Sequence, residues 1–244
     1  MSVVNDERPV MLELRDVCLS YHSKRSTFEH GTHHVLDGVS MELQEGETLG
    51  IIGKNGCGKT TILRIMAGIL APSRGAIRQR AGASSALLTI GLGFKPQLSG
   101  RDNAILSAML QGSSLQQAES YLSDIKEFSE LGDSFEEPVK TYSAGMKSRL
   151  GFTTALMTHV DIMLIDEVLS VGDAHFKQKA EAALKERMGG NQTVVFVSHM
   201  GPQIHQLCDR AIWLNEGKIA AQGDAPDVLD AYNEFIRSIK NGKR

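Results

Sequence analysis

The segment Gly53-Lys54-Asn55-Gly56-Cys57-Gly58-Lys59-Thr60 limits the chain to few folds. It follows the apolar run Leu49-Gly50-Ile51-Ile52 and precedes a segment with apolar residues at 62, 65, 66, 69 and 70. That order reads as strand, glycine loop, helix, and the pattern G-x-x-x-x-G-K-T in this setting is a phosphate-binding loop. Glycines let the backbone curl so that consecutive N–H groups point inward, and the following helix brings its positive end to the same place. Lys59 suits the β- and γ-phosphates of a nucleoside triphosphate, and the Thr60 hydroxyl suits Mg²⁺. With Thr61, the run Gly53–Thr60 is the candidate nucleotide site. A glycine-rich turn with a chance Lys-Thr is the plain alternative; the flanking strand and amphipathic helix argue against it.

Composition narrows the setting. A chain of 244 residues has the length of one large domain, or of a domain with an inserted lobe, and 41% hydrophobic residues supply a core. A net charge of −3 gives no global basic field, so nucleic acid is not expected as a partner. The three cysteines, Cys18, Cys57 and Cys208, are too few and scattered for a disulfide framework or a zinc site, and suit a reducing compartment. Cys57 inside the loop reads as a small residue that fits. The start of the chain is polar, and no run reaches the ~18 apolar residues of a spanning helix.

Along the chain, residues 11–21 alternate as a strand that ends in Tyr21. Residues 22–34 form a polar, histidine-rich insertion, read as a solvated loop. Residues 35–43 give another strand, so the first fifty residues form a small antiparallel β region that feeds the nucleotide-binding strand. Short strands at about 76–80 and 86–90 precede a turn-rich loop, Gly91 to Gly100. The stretch 98–158 turns helical and lacks strand signals, as an inserted lobe would. The α/β core is therefore assigned to 1–97 and 159–244. The buried strand that ends in Asp166-Glu167 resumes that core. Ligands of open α/β sheets lie beyond the carboxyl ends of strands, which sets both acids beside the glycine loop. Asp166 suits the Mg²⁺ shell, and Glu167 suits orienting an attacking water. The strand 193–197 brings His199 to the same end. A hairpin around Asn215-Glu216-Gly217 and a helix from Asp224-Ala225-Pro226 complete the chain.

A second candidate anion site lies in Thr141-Tyr142-Ser143-Ala144-Gly145-Met146, where Ser143 is a natural N-cap and Ala144 and Gly145 leave a helix start open. Two anion sites far apart in sequence make sense when two copies face each other head to tail around shared nucleotide. The set Gly53–Thr60, Tyr142–Met146, Asp161–Glu167, Ser170-Val171-Gly172-Asp173 and His199 resembles the ATPase subunit of ABC transporters, in the family's order and over nearly the whole chain. The resemblance implies a P-loop (RecA-like) α/β core, ATP and Mg²⁺ as ligands, and an ATP-sandwich homodimer. It makes Tyr21 the adenine-stacking aromatic, Ser143, Ala144, Gly145 and Met146 the signature facing the second copy, Asp173 the end of the D-loop, and His199 the switch histidine.

Three departures narrow the group. The signature reads Ser-Ala-Gly-Met, the D-loop Ser-Val-Gly-Asp, and the Q-loop is replaced by Gly91-Leu-Gly-Phe-Lys-Pro-Gln-Leu-Ser-Gly-Arg-Asp-Asn103. All three are similar to ATPase subunits of bacterial exporters of lipid-linked O-antigen, capsule or teichoic acid. No glutamine stands at the usual Q-loop place; Gln97, several residues later, is the candidate Mg²⁺ contact there. The resemblance implies a pair of integral membrane permease subunits, a lipid-linked polysaccharide cargo, and a peripheral place on the cytoplasmic face of the bacterial inner membrane. No carbohydrate-binding domain is expected beyond the last helix. The competing expectation is a soluble, non-transport ABC-type ATPase, which usually carries tandem domains or coiled-coil arms.

Overall fold

A computed structural model describes residues 8–22, 32–88, 91–166 and 172–241. The chain divides into two compact units: residues 1–83, 164–167 and 188–244, and residues 84–163 and 168–187.

In the first unit, β1 (Val10–His22) lies between β2 (Thr32–Gln44) and β4 (Arg74–Gln79), antiparallel to both. The apolar residues of β1 alternate as Leu12 and Leu14, then change phase to Val17 and Leu19, and all four are buried. The change of phase is a bulge. Asp16 takes a left-handed φ of 49°, and the register against β2 shifts between Leu14 and Val17. One extra residue there returns the apolar side chains to the core face.

The second sheet of this unit runs in the order β6 (Ile162–Asp166), β7 (Thr193–Val197), β3 (Thr48–Ile52), β8 (Arg210–Asn215), β9 (Lys218–Asp224). β3 is parallel to β7 and β8, while β9 returns antiparallel to β8. Every residue of β3 and β7 is buried, as their unbroken apolar and small sequences require of strands covered on both faces. Helix α1 (Lys59–Met66) buries Ile62, Leu63, Ile65 and Met66. It stops sooner than the apolar spacing through 70 suggests. Gly68 takes a φ of 67°, which ends the helix and leaves Ile69 exposed. Glu47, at the entrance to β3, is fully buried and paired with Arg210 at 2.9 Å.

The second unit holds the inserted helical lobe: α2 (Gly100–Leu110), α3 (Leu115–Ser120), α4 (Leu122–Ser129) and α5 (Ala144–Met157), with short 3-10 turns between α4 and α5. Ala104, Ile125, Leu131, Phe135, Val139, Tyr142 and Leu150 form its core. The serines before α2, α3 and α5 each accept a hydrogen bond from the third residue of the helix that follows. Within this unit β5 (Ser85–Leu87) lies beside the start of β6, where Ile162 N–H donates to the Ser84 carbonyl at 2.9 Å. Asp161 accepts from the Ser84 N–H and hydroxyl at 2.7 and 2.8 Å, so its carboxylate organises this corner. Helix α6 (Ala174–Met188) is tied to the lobe by Lys179, whose ammonium bonds Glu130 and the Phe128 carbonyl at 2.7 and 2.9 Å.

Candidate functional site

The loop after β3 is shaped by close approach. A Cβ at Gly53 would stand 2.2 Å from the Leu214 carbonyl oxygen of β8, and one at Gly58 would stand 2.9 Å from that of Val35. Gly58 also carries a φ of 108°, which a side chain would strain. The first contact seats the loop on β8 and the second on β2 of the other sheet, where α1 begins. Among the described residues no side chain caps α1, so its first N–H groups and its dipole face the loop.

Lys59 is buried, and its ammonium donates to the carbonyls of Gly53 and Lys54 at 2.8 and 3.0 Å. Two of its three donors thus brace the loop, which leaves one for an anion. Cys57 N–H donates to the Lys54 carbonyl at 3.3 Å, and the Cys57 carbonyl accepts from Gly217 N–H at 3.2 Å. Burial pushes the Cys57 thiol above its usual range, against the pull of Lys59. Little thiolate then exists at neutral pH, which supports the reading of Cys57 as a packing residue.

Together these residues enclose a cavity of about 250 Å³, lined by Val35, Asn55, Gly56, Gly58, Lys59, Thr60, Thr61 and Asp166. Asp166, far from the loop in sequence, is thereby brought to Thr60 at the end of β6. A hydroxyl and a carboxylate in one cavity form the hard oxygen set that suits Mg²⁺. Gly53, Lys54 and Cys57 shape the loop from outside the lining. Glu167 and the stretch 168–171 lie outside the described residues.

Tyr21 is the last but one residue of β1, with its side chain nearly half exposed. His199 follows β7 and lines a different, larger cleft with His205, Asp230, Tyr232 and Asn233. Gln97, Ser143–Met146 and Asp173 belong to the second unit. Ser143 caps α5, accepting from Met146 N–H at 3.2 Å, and a Cβ at Gly145 would meet nothing nearer than the Ser143 hydroxyl at 3.9 Å. That helix start is open to close approach. Asp173 accepts from Phe176 N–H at 2.9 Å, and this bond is the main reason its carboxyl lies below the usual range. Its carboxylate therefore also serves as the cap of α6.

One organising residue carried no obvious signal. Asn103 is fully buried; its side-chain carbonyl accepts from Lys95 N–H at 2.6 Å, and its amide donates to the carbonyls of Lys95, Leu98 and Ser99 at 3.0, 3.0 and 2.8 Å. It holds the loop that presents the exposed Gln97. Four exposed apolar side chains, Leu98, Met109, Leu110 and Leu115, lie in the same unit.

The ABC transporter family model matches residues 36–170, and the chain belongs to this family. Among curated relatives, it is 40% identical over 202 residues to the teichoic acids export ATP-binding protein TagH of Listeria innocua, covering 83% of this chain and 60% of that protein. It is 38% identical over 213 residues to the O-antigen export system ATP-binding protein RfbB of Myxococcus xanthus, covering 87% of this chain and 48% of that one. The chain thus spans about half to three fifths of the length of these relatives. Its fold matches a solved dimeric ATP-binding cassette in a post-hydrolysis state bound to ADP and Pi. The TM-score is 0.69 at 20% identity, over 88% of this chain and 99% of the other.

Proposed function

We propose that the chain is the ATP-binding and ATP-hydrolysing subunit of an ABC exporter for a lipid-linked polysaccharide of the O-antigen, capsule or teichoic acid type. The observation that carries the nucleotide reading is the single cavity uniting Lys59, Thr60 and Asp166. In this reading Lys59 holds the β- and γ-phosphates with its remaining donor, and Gly53–Thr61 wraps them with backbone N–H groups. Thr60 and Asp166 would hold Mg²⁺, which would neutralise charge on the phosphates. Glu167 orients the water that attacks the γ-phosphate, His199 contacts that phosphate, and Tyr21 stacks on adenine. Ser143–Met146 and Asp173 act across a head-to-tail dimer.

The export reading is supported by the names of the relatives. Among the described residues no helix is long and apolar enough to cross a membrane. We assign the subunit to the cytoplasmic face of the bacterial inner membrane, held there by a pair of permease subunits. Detergent capture of the tagged chain from native membranes is expected to bring down a multi-span membrane protein in stoichiometric amount. A soluble dimer with no membrane companion would overturn the export reading and favour a non-transport ATPase. Separately, Lys59→Ala is expected to abolish ATP turnover, and near-normal hydrolysis would remove the phosphate-loop assignment.

A further inference from the structure

The exposed apex of the phosphate loop is tied to the last helix. In this helix (Ala225–Asn241), Phe235 lies 4.9 Å, ring centroid to nitrogen, from the Lys54 ammonium. That is within the ~6 Å over which a cation is drawn to an aromatic face. Phe235 is itself seated on Trp213 of β8, centroids 4.8 Å apart, and Trp213 also meets Tyr232 edge-on at 5.8 Å. β8 is the neighbour of β3, with Trp213 paired to Ile52 just before the loop. The aromatic cluster is thus rooted on the same sheet that carries the loop. Lys54 matters to the loop through its backbone: its carbonyl accepts from the Lys59 ammonium at 3.0 Å and from Cys57 N–H at 3.3 Å.

We propose that Phe235, seated on Trp213, is a positioning residue for the phosphate loop: it holds the Lys54 side chain, and through the Lys54 carbonyl it fixes the ammonium of Lys59. The proposal rests on the nucleotide reading above and adds a residue from the far end of the chain to it. Its physical content is preorganisation. A glycine loop that is already pinned at Lys54 loses less conformational freedom when a triphosphate enters, and so binds it more tightly. Phe235 touches no reacting atom, so its effect falls on nucleotide affinity and leaves the chemical step alone.

The test is calorimetric titration of the full chain with magnesium and a non-hydrolysable ATP analogue. Phe235→Leu keeps apolar volume and removes the π face; it is expected to weaken binding about two- to five-fold, the range of an exposed cation–π contact. Its KM for ATP is expected to rise by the same factor, with kcat preserved. Phe235→Tyr restores the face and is expected to bind as the unaltered chain does. In a Lys54→Gln background, Phe235→Leu is expected to cost nothing further. Should Phe235→Leu fail to fold, Lys54→Arg is expected to retain affinity and Lys54→Met to lose it. The proposal is overturned if Phe235→Leu binds as tightly as Phe235→Tyr, or if it costs the same with and without Lys54. It is equally overturned, in the second pair, if Lys54→Met binds as tightly as Lys54→Arg. An unaltered chain that takes up no analogue defeats the nucleotide reading itself, and this proposal with it.

Discussion

Asn103 illustrates how one buried amide sets a loop that its own sequence leaves free. Its four hydrogen bonds reach Lys95, Leu98 and Ser99, and no water is needed to explain how the segment 95–99 is held. Asn103→Ala takes away the partner of the Lys95 N–H and one of the donors to each of three carbonyls, those of Lys95, Leu98 and Ser99, which keep a backbone donor each. At about 1 kcal/mol for each net bond, with part recovered by solvent at the loop, the expected loss of stability is about 2–3 kcal/mol. Denaturant unfolding measures it, and a loss under about 0.5 kcal/mol would show that the loop stands without this anchor. Asn103→Asp is expected to cost at least as much, because three carbonyl oxygens would then face a carboxylate.

At the level of elements, helix starts differ in whether a side chain caps them. α2, α3 and α5 begin on serines that satisfy a first-turn N–H, whereas α1 begins on Gly58 with its N–H groups left to the cavity. α6 begins beside Asp173, whose carboxyl is held below its usual range chiefly by the Phe176 N–H. A depressed folded value means that this contribution is present above the ordinary aspartate pKa of ~3.9 and is lost as pH falls through the lower folded value. Asp173→Asn keeps an acceptor but cannot titrate. It is expected to flatten the acid limb of thermal stability, while Asp173→Ala lowers stability at neutral pH as well. An acid limb identical in all three proteins would exclude the cap. Much at this scale was legible from residue order. The buried strands β3, β6 and β7 announce themselves as apolar runs, and the phase change from Leu14 to Val17 marks the bulge at Asp16. The convergence of Asp166 on Thr60 followed from the rule that ligands lie at strand carboxyl ends. The apolar spacing overran α1 because Ile69 and Leu70 continue its pattern, and only the left-handed Gly68 breaks it. Asn103 was silent because a polar residue in a helix reads as solvated. The seat of Lys54 on Phe235 was silent because nothing local links a loop to a helix at the opposite end of the chain.

For the whole molecule, the two helix starts proposed as anion sites raise a question of number. α1 belongs to the first unit and the Ser143 start of α5 to the second, so under the proposed function each copy carries both halves of a nucleotide clamp. If one ATP is held by α1 of one copy and the Ser143 helix of another, ATP joins two copies and its hydrolysis parts them, because the closed pair makes contacts with ATP that the open pair lacks. The acid that follows Asp166 in sequence then decides the lifetime of the closed pair. Glu167→Gln is expected to bind Mg-ATP normally and, in sedimentation, to shift from one chain mass to two when ATP is added but not when ADP is. Adding Ser143→Arg to the same protein places a bulky side chain at the open helix start and is expected to return it to one chain mass while leaving ATP binding intact. If Glu167→Gln binds ATP and remains a single chain, the head-to-tail clamp is wrong. If Ser143→Arg leaves the doubled mass unchanged, the copies meet through some other surface, and the second anion site has no part in closing them.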